Sequence, residues 1–256
     1  MKNLERLPCA MLDAVKLSAN LTALRRISHQ LSSEAQQKQG TIDEVLDRLK
    51  PDVVLSEANR KNCAEILKHY RFPTKVLQEV NKAAVLVPLC MHKGELGLLY
   101  TLRSSKLNTN RGQVSFPGGI QDEADKSLEE TALRETWEEL NISKDTVDIW
   151  VSGNPIVRTN VSVLPVLGYV GEVDPDTLKI NPDEVEEAFF ISLRNICDPA
   201  NFRYTQFRNN YIVPTYLGGK HRIWGLTAGI THIVMKALVP EMYKHELTYL
   251  QPIGKL

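Results

Sequence analysis

Residues 116–140 read FPGGIQDEADKSLEETALRETWEEL, a glycine turn followed by a helix that carries Glu135, Glu138 and Glu139 close together. Like charges three and four residues apart on a helix repel by roughly 0.2–0.5 kcal/mol per pair, so the cluster calls for a cationic partner. Ser127 followed by Glu130 matches a capping box and starts the helix near Ser127. At about 100° per residue the three carboxylates share one arc. Leu133, Trp137 and Leu140 fall on the other side, which is expected to pack against a sheet and aim the carboxylates outward. Arg134, one turn before Glu138, is placed to hold it by an ion pair. Hard divalent cations take oxygen ligands and bind through a few carboxylates plus substrate phosphates, which the arc suits. The bland alternative is a solvated helix face.

The flanking charge distribution favours the cation. No acidic residue lies between Leu96 and Gln121, where Arg103, Lys106 and Arg111 are positive, whereas Asp122 to Glu139 holds eight acids against Lys126 and Arg134. A phosphate-friendly segment therefore adjoins a metal-friendly one. They meet at Pro117-Gly118-Gly119, where glycine allows unusual backbone angles and close approach.

The stretch resembles the Nudix box, G-x5-E-x7-R-E-U-x-E-E-x-G-U with U apolar, the signature of hydrolases of nucleoside diphosphates linked to another moiety. Gly119 matches its first glycine and Arg134-Glu135-Thr136-Trp137-Glu138-Glu139 its core, with Thr136 at the apolar position. The interval from Gly119 to Arg134 is one residue longer than the pattern, which weakens any role for Asp125 at the position of the first glutamate. Asn141 replaces the final glycine, and asparagine tolerates the left-handed conformation expected there. The preceding LLYTLRSSKLNTNRGQVSFPGG is similar to the motif of coenzyme A diphosphatases in this family, through Thr101, Arg103, Ser104, Gly112, Phe116 and Pro117. Its second arginine position is Asn108, and Lys106 or Arg111 is the candidate to supply that charge.

The resemblance implies a mixed β-sheet sandwiched between helices (α/β, α+β) and a small-molecule substrate, coenzyme A or its thioesters. It implies Mg2+ or Mn2+ held by Glu135, Glu139, Glu138 and the Gly119 carbonyl, and Arg134 organising the carboxylates. Arg103, Lys106, Arg111, Gly112 and Phe116 are then expected at the substrate. Two rivals stand: a Nudix enzyme acting on another diphosphate such as ADP-ribose, and a silent Nudix-fold binding module. Glu184, Glu186 and Glu187 are read as a solvated turn and helix start, although glutamates outside the box serve as base in some Nudix enzymes.

Working outward, the chain has 256 residues, 43% hydrophobic and 24% charged, with zero net charge, which suits a globular protein and gives no global reason to bind nucleic acid. No apolar run reaches the length of a membrane span. Residues 1–81 read as an N-terminal helical extension, with Leu17, Leu21, Leu24, Ile27 and Leu31 at helical spacing. Strand-like runs then begin at NKAAVLVPLC, and 82–240 is expected to form the hydrolase domain, followed by a tail, 241–256. IWGLTAGITHIVMKAL is read as a second helix, and GGKH at 218–221 as a hairpin turn rather than a phosphate loop. Cys9, Cys63, Cys90 and Cys197 lack metal-type spacing and read as reduced thiols. The six Lys/Arg and three acids of residues 1–40, with the family resemblance, point to a mitochondrial or peroxisomal address, a cytoplasmic one being the alternative.

Overall fold

Strand β1 (Asn81–His92) is almost continuously apolar because it is covered on both faces and paired on both edges. In this computed structural model, which describes residues 47–70, 81–158, 161–207 and 212–248, β1 runs parallel to β7 (Val161–Glu172) from Asn81↔Val161 onward. Along its other edge it pairs antiparallel first with β4 (Gly118–Ile120) and then with β2 (Glu95–Arg103). Pro88 falls in the opening between those two partners. The Leu86 N–H donates to Pro117 O at 2.9 Å on that edge; position 88, two residues on, faces the same way, where no ladder bond is lost by a residue without an N–H.

The eight-stranded sheet is completed by β3 (Val114–Ser115), β5 (Asp148–Ser152), β6 (Ile156–Arg158) and β8 (Val185–Ser192). Helix α1 (Pro51–Val54) precedes α2 (Glu57–His69). Helix α3 (Leu128–Leu140) covers one sheet face through Ala132 and Leu140, against Ala84, Leu86, Leu99 and Val166. The opposite face carries α2, the short α4 (Leu193–Cys197) and α5 (Gly225–Leu238). The expected mixed sheet between helices is present. Cys63 and Leu67 of α2, assigned by the sequence to the extension, lie in the same core as Met235 and Leu238 of α5. A separate hairpin of β9 (Phe202–Gln206) and β10 (Ile212–Tyr216) follows, and the 218–221 turn brings Ile223 back to Tyr216.

Cys63, Cys90 and Cys197 are free thiols, raised to about 12 by burial. Cys9 and the leucine stripe at 17–31 lie outside the described residues. No helix among the described residues is long and apolar enough to cross a membrane.

Candidate active site

The α3 N-terminus is built as the sequence requires: Ser127 Oγ accepts from the Glu130 N–H at 3.1 Å, although the Glu130 carboxylate closes back on the Lys126 N–H at 2.9 Å, one residue earlier than a standard box. The helix ends at Asn141, which takes the left-handed conformation (φ 55°, ψ 30°) inferred for it. The buried face, however, is not the expected one. Trp137 is 54% exposed, and the helix packs through Ala132, Thr136, Glu139 and Leu140. Small residues decide this: Ala132 and Thr136 let the helix lie close to β1 and β4, and Thr136 satisfies its buried hydroxyl by donating to Ala132 O at 2.6 Å.

That rotation separates the three carboxylates. Glu139 faces the sheet and is only 2% exposed, while Glu138 stays at the surface and accepts from Arg134 Nη1 at 3.1 Å, as the one-turn spacing predicts. The carboxylate that joins Glu135 and Glu139 is Glu184, whose oxygen lies with theirs in a group within 4.8 Å of one another. The solvated reading of Glu184 is corrected by the chain's path. The Asn181 N–H donates to Glu139 O at 2.9 Å, and the Ser104 N–H donates to Glu184 O at 2.9 Å, pinning the 181–184 turn against the end of α3 and the end of β2. A sequence reading had only the Asn-Pro turn signal there, which places a loop but not its neighbour. Glu187 points elsewhere, to Lys220 and His221.

Arg134 reaches more partners than Glu138. Its Nε and Nη2 donate to the two oxygens of Asp125 at 3.0 and 2.9 Å, its Nη2 to Ile120 O, and its Nη1 lies 3.0 Å from Glu135. Asp125 is itself buried and accepts from Thr131 Oγ1 and the Asp122 N–H. The fork of Arg134 on Asp125 holds that carboxyl down at about 2. Asp125 therefore has a positioning contact that the altered spacing had put in doubt. Gly119 is the other fixed point: a Cβ there would lie 2.4 Å from Glu135 Oε1, so only glycine lets that carboxylate lie against β4.

Arg103 Nη1 stands 3.9 Å from Glu139 Oε1. Burial pushes the Glu139 carboxyl up to about 8, with Arg103 opposing and Glu135 and Glu184 adding to the rise. Glu135 is also raised, by burial first, with Arg134 opposing. Among the described residues Glu139 Oε2 and Arg103 Nε are buried without a hydrogen-bond partner. An orphaned carboxylate oxygen beside two further carboxylates fits a hard divalent cation, which supplies the missing partner and the opposite charge.

The remaining expected contacts divide. Lys106 is exposed and tied to Asp183 at 2.8 Å, and Arg111 is exposed on the same loop. Gly112 makes a left-handed turn (φ 66°) whose N–H donates to Arg103 O at 2.9 Å, closing the loop under Arg103. Phe116 is not at a ligand-facing surface: it is 2% exposed and stacked on Tyr100 in the core, so its expected contact with substrate is replaced by support of the turn.

With this geometry in place, the NUDIX domain profile matches residues 80–212. The chain belongs to the NUDIX family. A mitochondrial coenzyme A diphosphatase of Mus musculus is 40% identical over 199 residues, covering 75% of this chain and 94% of the relative. The enzyme of the same name from Homo sapiens is 44% identical over 178 residues, covering 67% of this chain and 75% of its own. A peroxisomal coenzyme A diphosphatase of Mus musculus is 34% identical, covering 60% and 69%. Nudix hydrolases use divalent metal ions, and Glu135, Glu139 and Glu184 are the group in this Nudix domain able to hold one among the described residues.

Proposed function

We propose that this chain hydrolyses the diphosphate bond of coenzyme A and its acyl thioesters, with Mg2+ or Mn2+, to adenosine 3′,5′-bisphosphate and 4′-phosphopantetheine or its acyl form. The observation that carries the reading is the convergence of the Glu135, Glu139 and Glu184 carboxylates, with Glu139 Oε2 buried and unpartnered and Arg103 Nη1 3.9 Å from Glu139 Oε1. A pure binding module gains nothing from crowding three carboxylates, because their mutual repulsion is a cost unless cations are bound.

Bound cations supply an activated water and neutralise charge on the bridging oxygens. The chain supplies the geometry. Glu135, Glu139 and Glu184, with the Gly119 carbonyl, would hold the cation, and Arg134, which contacts both Glu135 and Glu138, keeps those two in place. Arg103 faces the phosphates, and Lys106 and Arg111 lie on the loop that Gly112 closes. The assignment of coenzyme A rests on the Leu98–Gly119 segment and on the names of the relatives, two of which are mitochondrial and one peroxisomal; an organellar location is part of the same proposal.

The test is a product assay on purified protein with Mg2+ or Mn2+, offering coenzyme A, dephospho-coenzyme A and ADP-ribose. Highest kcat/KM on coenzyme A is expected. A preference for ADP-ribose would overturn the substrate reading, and no hydrolysis of any diphosphate with metal bound would favour the silent module.

A further inference from the structure

Glu184 serves two spaces at once. Beyond the carboxylate cluster it lines, with Glu138, an open cleft of about 580 Å³ whose other lining includes Trp137, Asn141, Lys179 and Ile180. That volume falls in the range of small-molecule sites, about 300–1,000 Å³. The chemistry derived so far uses neither Trp137 nor Lys179.

Both are presented to solvent by a rigid support. Trp137 is 54% exposed although it sits in the last turn of α3, between Glu135 and Glu139 of the site. Lys179 is exposed and makes no ion pair or hydrogen bond among the described residues. Its neighbours Leu178 and Ile180 pack into the core under α3, and the Asn181 O accepts from the Glu184 and Val185 N–H groups at 3.1 and 2.8 Å. The backbone positions of Trp137 and Lys179 are thus tied to the carboxylate cluster through the end of α3 and a single turn.

We propose that this cleft is the nucleoside subsite: the base of the substrate stacks on Trp137, and Lys179 meets a phosphomonoester on its ribose. The inference rests on the coenzyme A reading. The pantetheine arm of coenzyme A has no π-face and no charge, whereas its adenosine 3′-phosphate has both, and a tryptophan beside a lysine complements that end. Glu138 and Glu184 repel an unneutralised anion, so Lys179, the one cation of the lining, is the group left to meet the ribose phosphate, while a diphosphate neutralised by metal would go to the cluster. Lys179 would in this way distinguish coenzyme A from its dephospho form.

Fluorescence titration with adenosine 3′,5′-bisphosphate and adenosine 5′-monophosphate tests this, in Mg2+, since neither nucleotide contains the bond to be cleaved. Tryptophan emission of the wild type should be quenched by the bisphosphate, and the quenching should vanish in Trp137→Phe. Lys179→Ala should weaken the bisphosphate by about tenfold, as expected for one charged hydrogen bond, and leave the monophosphate unchanged. In turnover it should raise KM for coenzyme A and not for dephospho-coenzyme A. Both side chains are exposed, so melting temperatures should match the wild type. Bisphosphate affinity unaffected by either substitution, or binding that leaves Trp137 emission unchanged, would overturn the subsite. Failure of the wild type to cleave coenzyme A would overturn the substrate reading instead, while quenching dependent on Trp137 and Lys179 would still support a nucleotide cleft.

Discussion

Glu139→Gln separates what the buried carboxylate costs the fold from what it does with metal. Burial raises this carboxyl from 4.5 to about 8. Between those values the folded chain keeps a proton that the unfolded chain has released, so in EDTA the stability falls as pH rises from 4.5 and levels off above 8. At about 1.4 kcal/mol per pH unit the full penalty is about 5 kcal/mol, an upper bound because water and side chains relax around a bare charge. Glutamine carries no charge to desolvate. Above pH 8 in EDTA the variant should therefore melt higher than the wild type, by about 2–4 °C for each kcal/mol recovered in a domain of this size. Glu135 is shifted in the same direction, so the variant keeps a shallower slope rather than a flat one. Mg2+ should reverse the order, since a cation that binds only the folded state stabilises the wild type by mass action and finds one ligand fewer in the variant. Melting curves from pH 4.5 to 9 with EDTA or Mg2+ give both comparisons. A wild-type profile without the downward slope in EDTA would refute the burial argument, and an equal Mg2+-induced rise in both proteins would refute the metal assignment.

Three further outcomes follow from the same geometry. Asp125→Asn should destabilise by about 3 kcal/mol, because it leaves the Arg134 fork facing a neutral amide; the wild type should also lose stability as pH falls from 3.8 toward 2, the usual sign for a depressed carboxyl, and the variant should lack that acid limb in urea titrations. Asn141→Gly should melt at or slightly above the wild type, whereas Asn141→Val, forcing a β-branched residue to φ 55°, should cost about 1–2 kcal/mol; equal melting temperatures would contradict the left-handed end of α3. Gly119→Ala drives a methyl group to 2.4 Å from Glu135 Oε1 and should lower kcat at saturating substrate while raising the Mg2+ concentration needed for half-maximal rate. Unchanged metal dependence would show that Glu135 is not held against β4 when the cation binds.

Local signals carried much of this protein in its sequence. The capping serine and the Arg134–Glu138 pair each depend on residues within one turn of each other, so spacing alone predicts them, whereas the left-handed Asn141 was implied by the family pattern whose final glycine it replaces. The strands were legible for a similar reason, since burial on both faces demands the unbroken apolar runs of NKAAVLVPLC and VSVLPVLGYV. Which face of α3 turns inward was not legible. Hydrophobicity nominates Trp137, but close approach to β1 and β4 is governed by the small Ala132 and Thr136, and that choice buries Glu139 and exposes the indole. Glu184 lies 45 residues after Glu139 in the numbering, and only the folding of the 181–184 turn against α3 and β2 makes them neighbours. Chain chemistry alone determined that carboxylates gather near a glycine turn; the packing of the helix on the sheet decided which three meet and which oxygen is left without a partner.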